Sequence, residues 1–403
     1  MKQRGSMVLI LMGLLVFAVA VPSPAPAAVS VGGVVWGNFV WSDKINGSYI
    51  VPRGGGATST PLDTDKDRDN SQFIITFQQS RLWARFTDDV GGVKMSGVIE
   101  TDFNTGDGNA LTSNSRHLRL RLAYARADHP SGFFLLAGQY STLSNNEDIG
   151  FLGKYAANDV NGPVGSRNGA RQPQLRVGWK TPMGPGQDLM LEGGIEKHSV
   201  ANLGSASVDE SQGEGQTLPL FGGRVTWNSP VVRIQAGAVL GNNTVILAGG
   251  KDESDGAWMV FGSTEIIFQP VTLFANLHKQ KGLGRLLGGG GDFATAVLVS
   301  SKVENIESDN LSAGIKFQLT PQTQIDAVFG WAKADEITAG SAFTGASLET
   351  LRTMELNIKH SFWKSWRAAF AIMRNEVEAF NATATTSKDG DNTVVAAFLV
   401  YFF

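Results

Sequence analysis

From about residue 28 onward, apolar and polar residues alternate along short segments with a period of two. That is the spacing of a β-strand whose faces meet different surroundings. Leu118, Leu120, Leu122 and Tyr124 fall on one side, with His117, Arg119 and Arg121 on the other. Leu82, Ala84 and Phe86 oppose Arg81 and Arg85; Leu175, Val177 and Trp179 oppose Arg176 and Lys180; Leu311, Ala313, Ile315 and Phe317 oppose Lys316. The last strand, from about Asp391, places Val395, Ala397, Leu399, Tyr401 and Phe403 on one face and carries no charge after Asp391. An aromatic, uncharged end of this kind suits a strand whose outer face meets lipid, since an exposed apolar edge in water invites aggregation.

The connections alternate as well. Short turns fall at 88–92, 128–132, 181–187, 228–230, 269–270, 320–322 and 362–365, and all but the last contain Gly or Pro. Longer polar stretches fall at about 42–71, 105–115, 141–172, 200–217, 242–256, 281–308, 334–349 and 380–390. Seven short turns alternating with eight long loops predict an all-β, antiparallel up-and-down transmembrane barrel of sixteen strands with both termini on the short-turn side. Residues 293–300 (FATAVLVS) read as a strand inside the sixth long loop. The expectation is a loop folded onto or into the barrel; a count of eighteen would need a partner strand for this segment.

Membrane depth then sorts the faces. A charge on the lipid side costs about 2–4 kcal/mol near the midplane, so the apolar sets are expected to face lipid and the charged sets the lumen. A barrel of sixteen strands is wide enough for an aqueous channel. Trp36, Trp41, Trp179, Trp227, Trp258, Trp331, Trp363 and Trp366 mostly fall near predicted strand ends, where interfacial girdles belong.

The N-terminus adds a destination. Lys2 and Arg4 precede an apolar run from Met7 to Val21, followed by Pro22, Pro24 and an Ala25-Pro26-Ala27 cleavage pattern. Residues 1–27 therefore read as a signal peptide and 28–403 as the barrel. The formal charge of −3 becomes −5 once Lys2 and Arg4 leave with the leader, a balance that argues against nucleic acid. The absence of cysteine excludes disulfide frameworks, thiolate metal sites and Cys nucleophiles. No apolar run after the leader is long enough for a spanning helix, and the 48 glycines suit a chain with many turns.

Lumen assignment gathers positive charge: Arg81, Arg85, Arg119, Arg121, Arg176, Lys180, Arg224 and Arg233. A wall of arginines in a water-filled pore with low-dielectric sides makes a local positive potential. The loop 141–172 supplies Glu147, Asp148 and Asp159. Folded inward, it would set these acids across a constriction from Arg81, Arg119 and Arg121. The plainer alternative pairs the arginines with Glu100, Asp102, Glu192 and Glu196, as solvated wall residues.

Three segments resemble the trimeric general diffusion porins of Gram-negative bacteria. Residues 80–94 (SRLWARFTDDVGGVK) are similar to a hairpin of that family, and 134–140 (FLLAGQY) to the strand before its constriction loop. Tyr401-Phe402-Phe403 matches its terminal assembly signal. Gln139 stands where the family usually has Arg, and the following loop lacks a PEFGG-like tip. The resemblance implies a homotrimer, a second long loop that reaches a neighbouring copy, and a terminal Phe403 read by the barrel-assembly machinery.

Other motifs carry less. Asp63, Asp65, Asp67 and Asp69 have a spacing that would hold Ca²⁺, but Lys66 and Arg68 interrupt them and the glycine and distal glutamate of a calcium loop are missing. A solvated loop is the expectation, with a cation bridging lipopolysaccharide as the alternative. Gly54–Gly56 and Gly288–Gly291 lack the strand-to-helix setting of a phosphate loop. The five histidines show no metal spacing and no nucleophile elbow marks a hydrolase. The expected function is a porin of the outer membrane, without cofactor or metal, passing small hydrophilic solutes and ions by diffusion among lipid and lipopolysaccharide. A channel selective for phosphate or organic acids is the alternative, and a structural barrel or sheath for a partner protein the third.

Overall fold

The structure, a computed structural model, describes residues 28–44, 69–104, 117–145, 170–198, 216, 218–247, 252–286, 296–299, 302–335, 347–380 and 389–403. The expected leader at 1–27, most of the aspartate series and both glycine runs lie outside the described residues. The strands are β1 (Ala28–Ser42), β2 (Gln72–Thr76), β3 (Arg81–Val90), β4 (Val93–Asp102), β5 (Arg119–Asp128), β6 (Phe133–Ser141), β7 (Arg171–Gly184), β8 (Gln187–Glu196), β9 (Leu220–Asn228) and β10 (Val232–Ile246). They continue as β11 (Asp252–Phe268), β12 (Val271–Lys281), β13 (Ala296–Val299), β14 (Lys302–Asn305), β15 (Glu307–Gln318), β16 (Thr323–Ala334), β17 (Ser347–Phe362), β18 (Trp366–Phe380) and β19 (Asp389–Phe402).

β2 and β3 both pair with β1 and together make one interrupted stave. β13 and β14 form a hairpin apart from the main sheet. The remaining ladder is antiparallel throughout and closes through β1 and β19, so the barrel has sixteen staves. Within the segment 293–300, Ala296–Val299 is thus a strand paired with Lys302–Asn305 in the same connection, and the parity of the barrel stands. The fifth long connection is shorter than expected, because β10 and β11 pair out to Ile246 and Asp252.

The outer surface is an apolar belt. Leu82, Phe86, Ile99, Val177, Leu191, Val225, Ile234, Val260, Leu273, Ile315, Met354, Phe370, Ile372 and Leu399 are all exposed. In water so large a patch would drive association, whereas against acyl chains it is solvated. At the short-turn end a run of rings borders this belt. Phe362 lies 6.2 Å from Trp366, Trp366 4.9 Å from Tyr401, and Tyr401 6.3 Å from Phe403. Trp363 sits in the one short turn without Gly or Pro. It takes a left-handed backbone (φ 57°) and leaves its ring highly exposed, as an interfacial anchor requires.

Two expectations about the faces are corrected. The alternation predicted for 118–124 fails at Arg121, an extra residue between Leu120 and Leu122 in the ladder with β4. A bulge of this kind shifts the phase by one. Leu118 and Leu120 face out, but Leu122, Tyr124 and Arg126 follow Glu100, Val98 and Ser96 to the inside. The second correction concerns Trp36, expected in a girdle. It is wholly buried on the inner face, in a cluster with Val34, Val40, Ala369, Ala371, Met373, Val394, Ala396, Phe398 and Val400. Along this cluster the inner faces of β18, β19 and β1 are therefore apolar as well, with Asn38, Asn375 and Asn392 beside it. Side-chain packing across the seam sets the pattern there, where a purely water-facing wall would carry polar residues.

The seam itself is tight. Gly33 N–H donates to Phe403 O at 3.1 Å, and Phe403 N–H to Gly33 O at 3.2 Å. A Cβ at Gly33 would collide with the Phe403 ring. Gly33→Val should cost about 1–3 kcal/mol by overpacking and lower the fraction of heat-modifiable, folded barrel on semi-native gels. An unchanged folded fraction would show that this contact does not govern closure.

Candidate functional site

The inner wall holds the charged residues expected there. On β4 and β5, Arg119 grips Asp102 with both arms, Nε at 2.8 Å and Nη2 at 2.6 Å. Arg121 spans Glu100 Oε1 and Asp102 Oδ2, each at 2.7 Å. The bulge permits this, because it keeps Arg121 on the same side as Arg119. Arg81 lies opposite Asp102 in the ladder and places its guanidinium 5.5 Å from the centre of the Trp36 ring.

A second knot joins β7, β8 and β9. Arg176 meets Glu192 at 3.2 Å and Glu196 at 3.6 Å, while Arg224 pairs with Glu192. All four side chains are closed off from solvent, and burial makes each charge depend on its partners. The same residues catch the start of the long loop after β6. Arg176 Nη2 donates to Ser141 O at 2.6 Å, Arg224 Nη1 to Asn145 O at 3.0 Å, and Leu143 N–H to Glu196 Oε1 at 2.6 Å. Gln235 of β10 adds a bond to Asn145 O at 3.0 Å. Residues 142–145 are buried, with Leu143 packed over Gly222. The loop expected to narrow the pore therefore begins inside the barrel.

A second segment also enters. After β12, a 3-10 turn at Gly284–Leu286 carries Leu283 and Leu286 inward. With Ile306 they bridge Leu220, Val239 and Met259 on one side of the barrel to Ala332, Leu351 and Val377 on the other. Asn243 of β10 fastens this connection, donating from Nδ2 to Gly282 O at 2.8 Å and to Asn305 Oδ1 at 2.5 Å. Its own Oδ1 lies 2.8 Å from His198 Nε2. Burial holds the His198 imidazole, beyond the end of β8, below its ordinary pKa, so the neutral ring is favoured there.

The expected site residues thus divide. Arg121, Arg176, Arg224 and Arg81 are largely enclosed in the wall, whereas Arg85, Arg119 and Lys180 retain exposure to the interior. Lys180 pairs with Asp188 at 3.2 Å beside a short turn. Glu147, Asp148 and Asp159 lie outside the described residues. Tyr401 and Phe403 lie on the outer aromatic run. Sequence alternation missed Tyr124, Tyr140 and Arg126 as inner residues. Arg126 holds Asp128 at 2.6 Å and covers the Phe134 ring. On the far wall, Arg233 and Lys316 share Glu265 at 3.3 and 2.7 Å, and Lys359 meets Asp326 at 2.5 Å. Gln139, where the resembling family has Arg, faces outward and donates to the Leu120 and Arg121 carbonyls across the bulge, at 3.1 Å each.

No family model and no curated protein matches the chain. Solved structures do match it. The outer-membrane channel DcaP of Acinetobacter baumannii aligns over 94% of this chain and 99% of its own, with a TM-score of 0.69 at 19% identity. An anion-selective porin from Comamonas acidovorans covers 94% of this chain and 100% of its own, with a TM-score of 0.55 at 14% identity. OmpT of Vibrio cholerae, an outer-membrane protein solved in a trimer form, gives 0.54 at 11% identity over 94% and 100%. The chain shares their fold.

The buried knot makes a direct prediction. Glu192→Gln keeps the side-chain volume but leaves Arg176 and Arg224 without their shared counter-charge. Removing one partner of a buried pair costs about 3–5 kcal/mol, readable by urea unfolding of the barrel in phospholipid vesicles. A loss below about 1 kcal/mol would mean that water reaches this knot and screens it.

Proposed function

We propose that the protein is an outer-membrane porin that passes small hydrophilic solutes and ions by diffusion. The observation that carries this reading is a closed sixteen-stave barrel with an apolar belt outside and a charged wall inside. Lipid solvates the first surface and only water and counter-ions solvate the second. The full-length match to an outer-membrane channel and a porin supports it. Arg81, Arg85, Arg119, Arg121, Arg176, Lys180 and Arg224 take the pore-lining roles, with the loop that begins at residues 142–145 as the narrowing element. Glu147 and Asp148 would face them across the gap. Assembly as a homotrimer, by analogy with the trimer form of OmpT, and insertion through the barrel-assembly machinery at Tyr401 and Phe403 complete the proposal. Its surroundings are acyl chains and lipopolysaccharide.

A preference for anions is the second reading. Many acids on the described inner wall are spent on buried or short ion pairs, while Arg85 is exposed to the interior and makes no ion pair among the described residues. An exposed cation beside neutralised carboxylates biases the local potential positive. Planar-bilayer recording tests both readings. Folded protein should give discrete current steps, and a tenfold KCl gradient should give a reversal potential of the sign for chloride. Absence of steps from folded protein would overturn the porin reading, and a potassium-signed potential the anion reading.

A further inference from the structure

We propose that the inner face of β3 to β6 carries a binding site for an aromatic carboxylate, a substrate class for the channel read above. The site stands on the phase shift at Arg121. Without that bulge Tyr124 would point at lipid. With it, Tyr124 lies opposite Val98, which lies opposite Arg85. Arg85 and Tyr124 are thus two strands apart on one wall, about 10 Å between backbones at the usual strand spacing. Both side chains face inward, within reach of one ligand.

Arg85 differs from the other guanidiniums of this wall. Arg119, Arg121 and Arg126 each hold a carboxylate. Arg85 is exposed and makes no hydrogen bond or ion pair among the described residues, resting instead 5.3 Å from the Trp83 ring centre. A guanidinium that lies over an indole and holds no carboxylate keeps N–H groups for a planar, two-oxygen acceptor, which is the shape of a carboxylate. The position of the Trp83 indole depends on Gly32. A Cβ there would come 2.8 Å from Trp83 Nε1 and 3.0 Å from Cε2, so only glycine lets the indole lie across β1.

Aromatic surface surrounds the anchor. The Tyr124 and Tyr140 rings meet edge to face at 4.7 Å, and Arg176 caps Tyr140 at 5.5 Å. Gly138 stands opposite Tyr124 in the ladder with β6 and adds no side chain beside it. An inorganic anion would use Arg85 and leave Trp83 and Tyr124 idle. A neutral aromatic would use the rings and leave the charge unmatched. An aryl carboxylate uses both, through offset or edge-on ring contact and a charge-assisted pair.

Benzoate and acetate are the probes, applied to the full protein in planar bilayers and, separately, by calorimetric titration of detergent-folded protein. Benzoate should interrupt the ion current, and bind, at concentrations at least about tenfold below acetate, the scale of one well-placed ring contact with its buried area. Arg85→Gln should remove the benzoate response, and Trp83→Leu should bring it down to that of acetate. Should Trp83→Leu fail to give heat-modifiable barrel, Trp83→Phe should reduce the preference for benzoate. Equal responses to benzoate and acetate, or variants that respond as the parent does, would overturn the site. Calorimetric binding lost in the variants, without current steps, would sustain the site and overturn the channel reading. Steps without benzoate preference would do the reverse.

Discussion

Everything in this molecule depends on one requirement: a backbone crossing lipid must satisfy its own hydrogen bonds. An open sheet would leave a row of N–H and C=O groups at each edge, so the ladder has to close. Closure falls on β1 and β19, from Val34 paired with Phe402 to Ser42 paired with Val394. That seam explains why β18, β19 and β1 depart from the rule obeyed elsewhere. Their inner residues, from Trp36 to Phe398 and Val400, pack as a cluster whose contacts hold the first and last staves together. Glycine at 33 then lets the terminal residue dock on the first strand.

Once the barrel is closed, its interior has a limited set of ways to hold charge. Buried guanidiniums need partners, and the wall supplies them in adjacent registers: Asp102 for Arg119 and Arg121, Glu192 for Arg176 and Arg224. These knots do more than neutralise. Because Arg176, Arg224 and Glu196 also bind the backbone of residues 141–145, the electrostatics of the wall fix where the long loop enters. The connection after β12 enters by a different force, the burial of Leu283, Leu286 and Ile306. Two segments thus enter the barrel, one held by hydrogen bonds from the charged knot to its backbone and one by apolar packing and Asn243.

Much of this was legible in the alternation of residues and of turns. Period-two patterns put Arg81, Arg85, Arg176 and Arg224 inside and Leu82, Val177 and Leu399 outside, because charge and lipid cannot meet cheaply. The rhythm of turns gave the stave number for the same reason: short turns and long loops face different compartments. What was hidden is what period two cannot encode. A one-residue bulge at Arg121 inverts Leu122 and Tyr124, and nothing in their composition announces it. The inward burial of Trp36 was hidden because an apolar residue suits either a lipid face or a packed seam.

The central claim is that two faces of one wall meet two solvents, and that β5 changes phase between them. The chain has no cysteine, so single substitutions report their own surroundings. In reconstituted protein, Arg119→Cys, Leu122→Cys and Tyr124→Cys should react with a charged, membrane-impermeant thiol reagent. Leu120→Cys, Ala123→Cys and Ala125→Cys should react only with a reagent that partitions into lipid. Reaction of Tyr124→Cys from lipid and of Ala123→Cys from water would contradict the account, because it would place the strand in the unbroken phase and take Tyr124 off the inner wall.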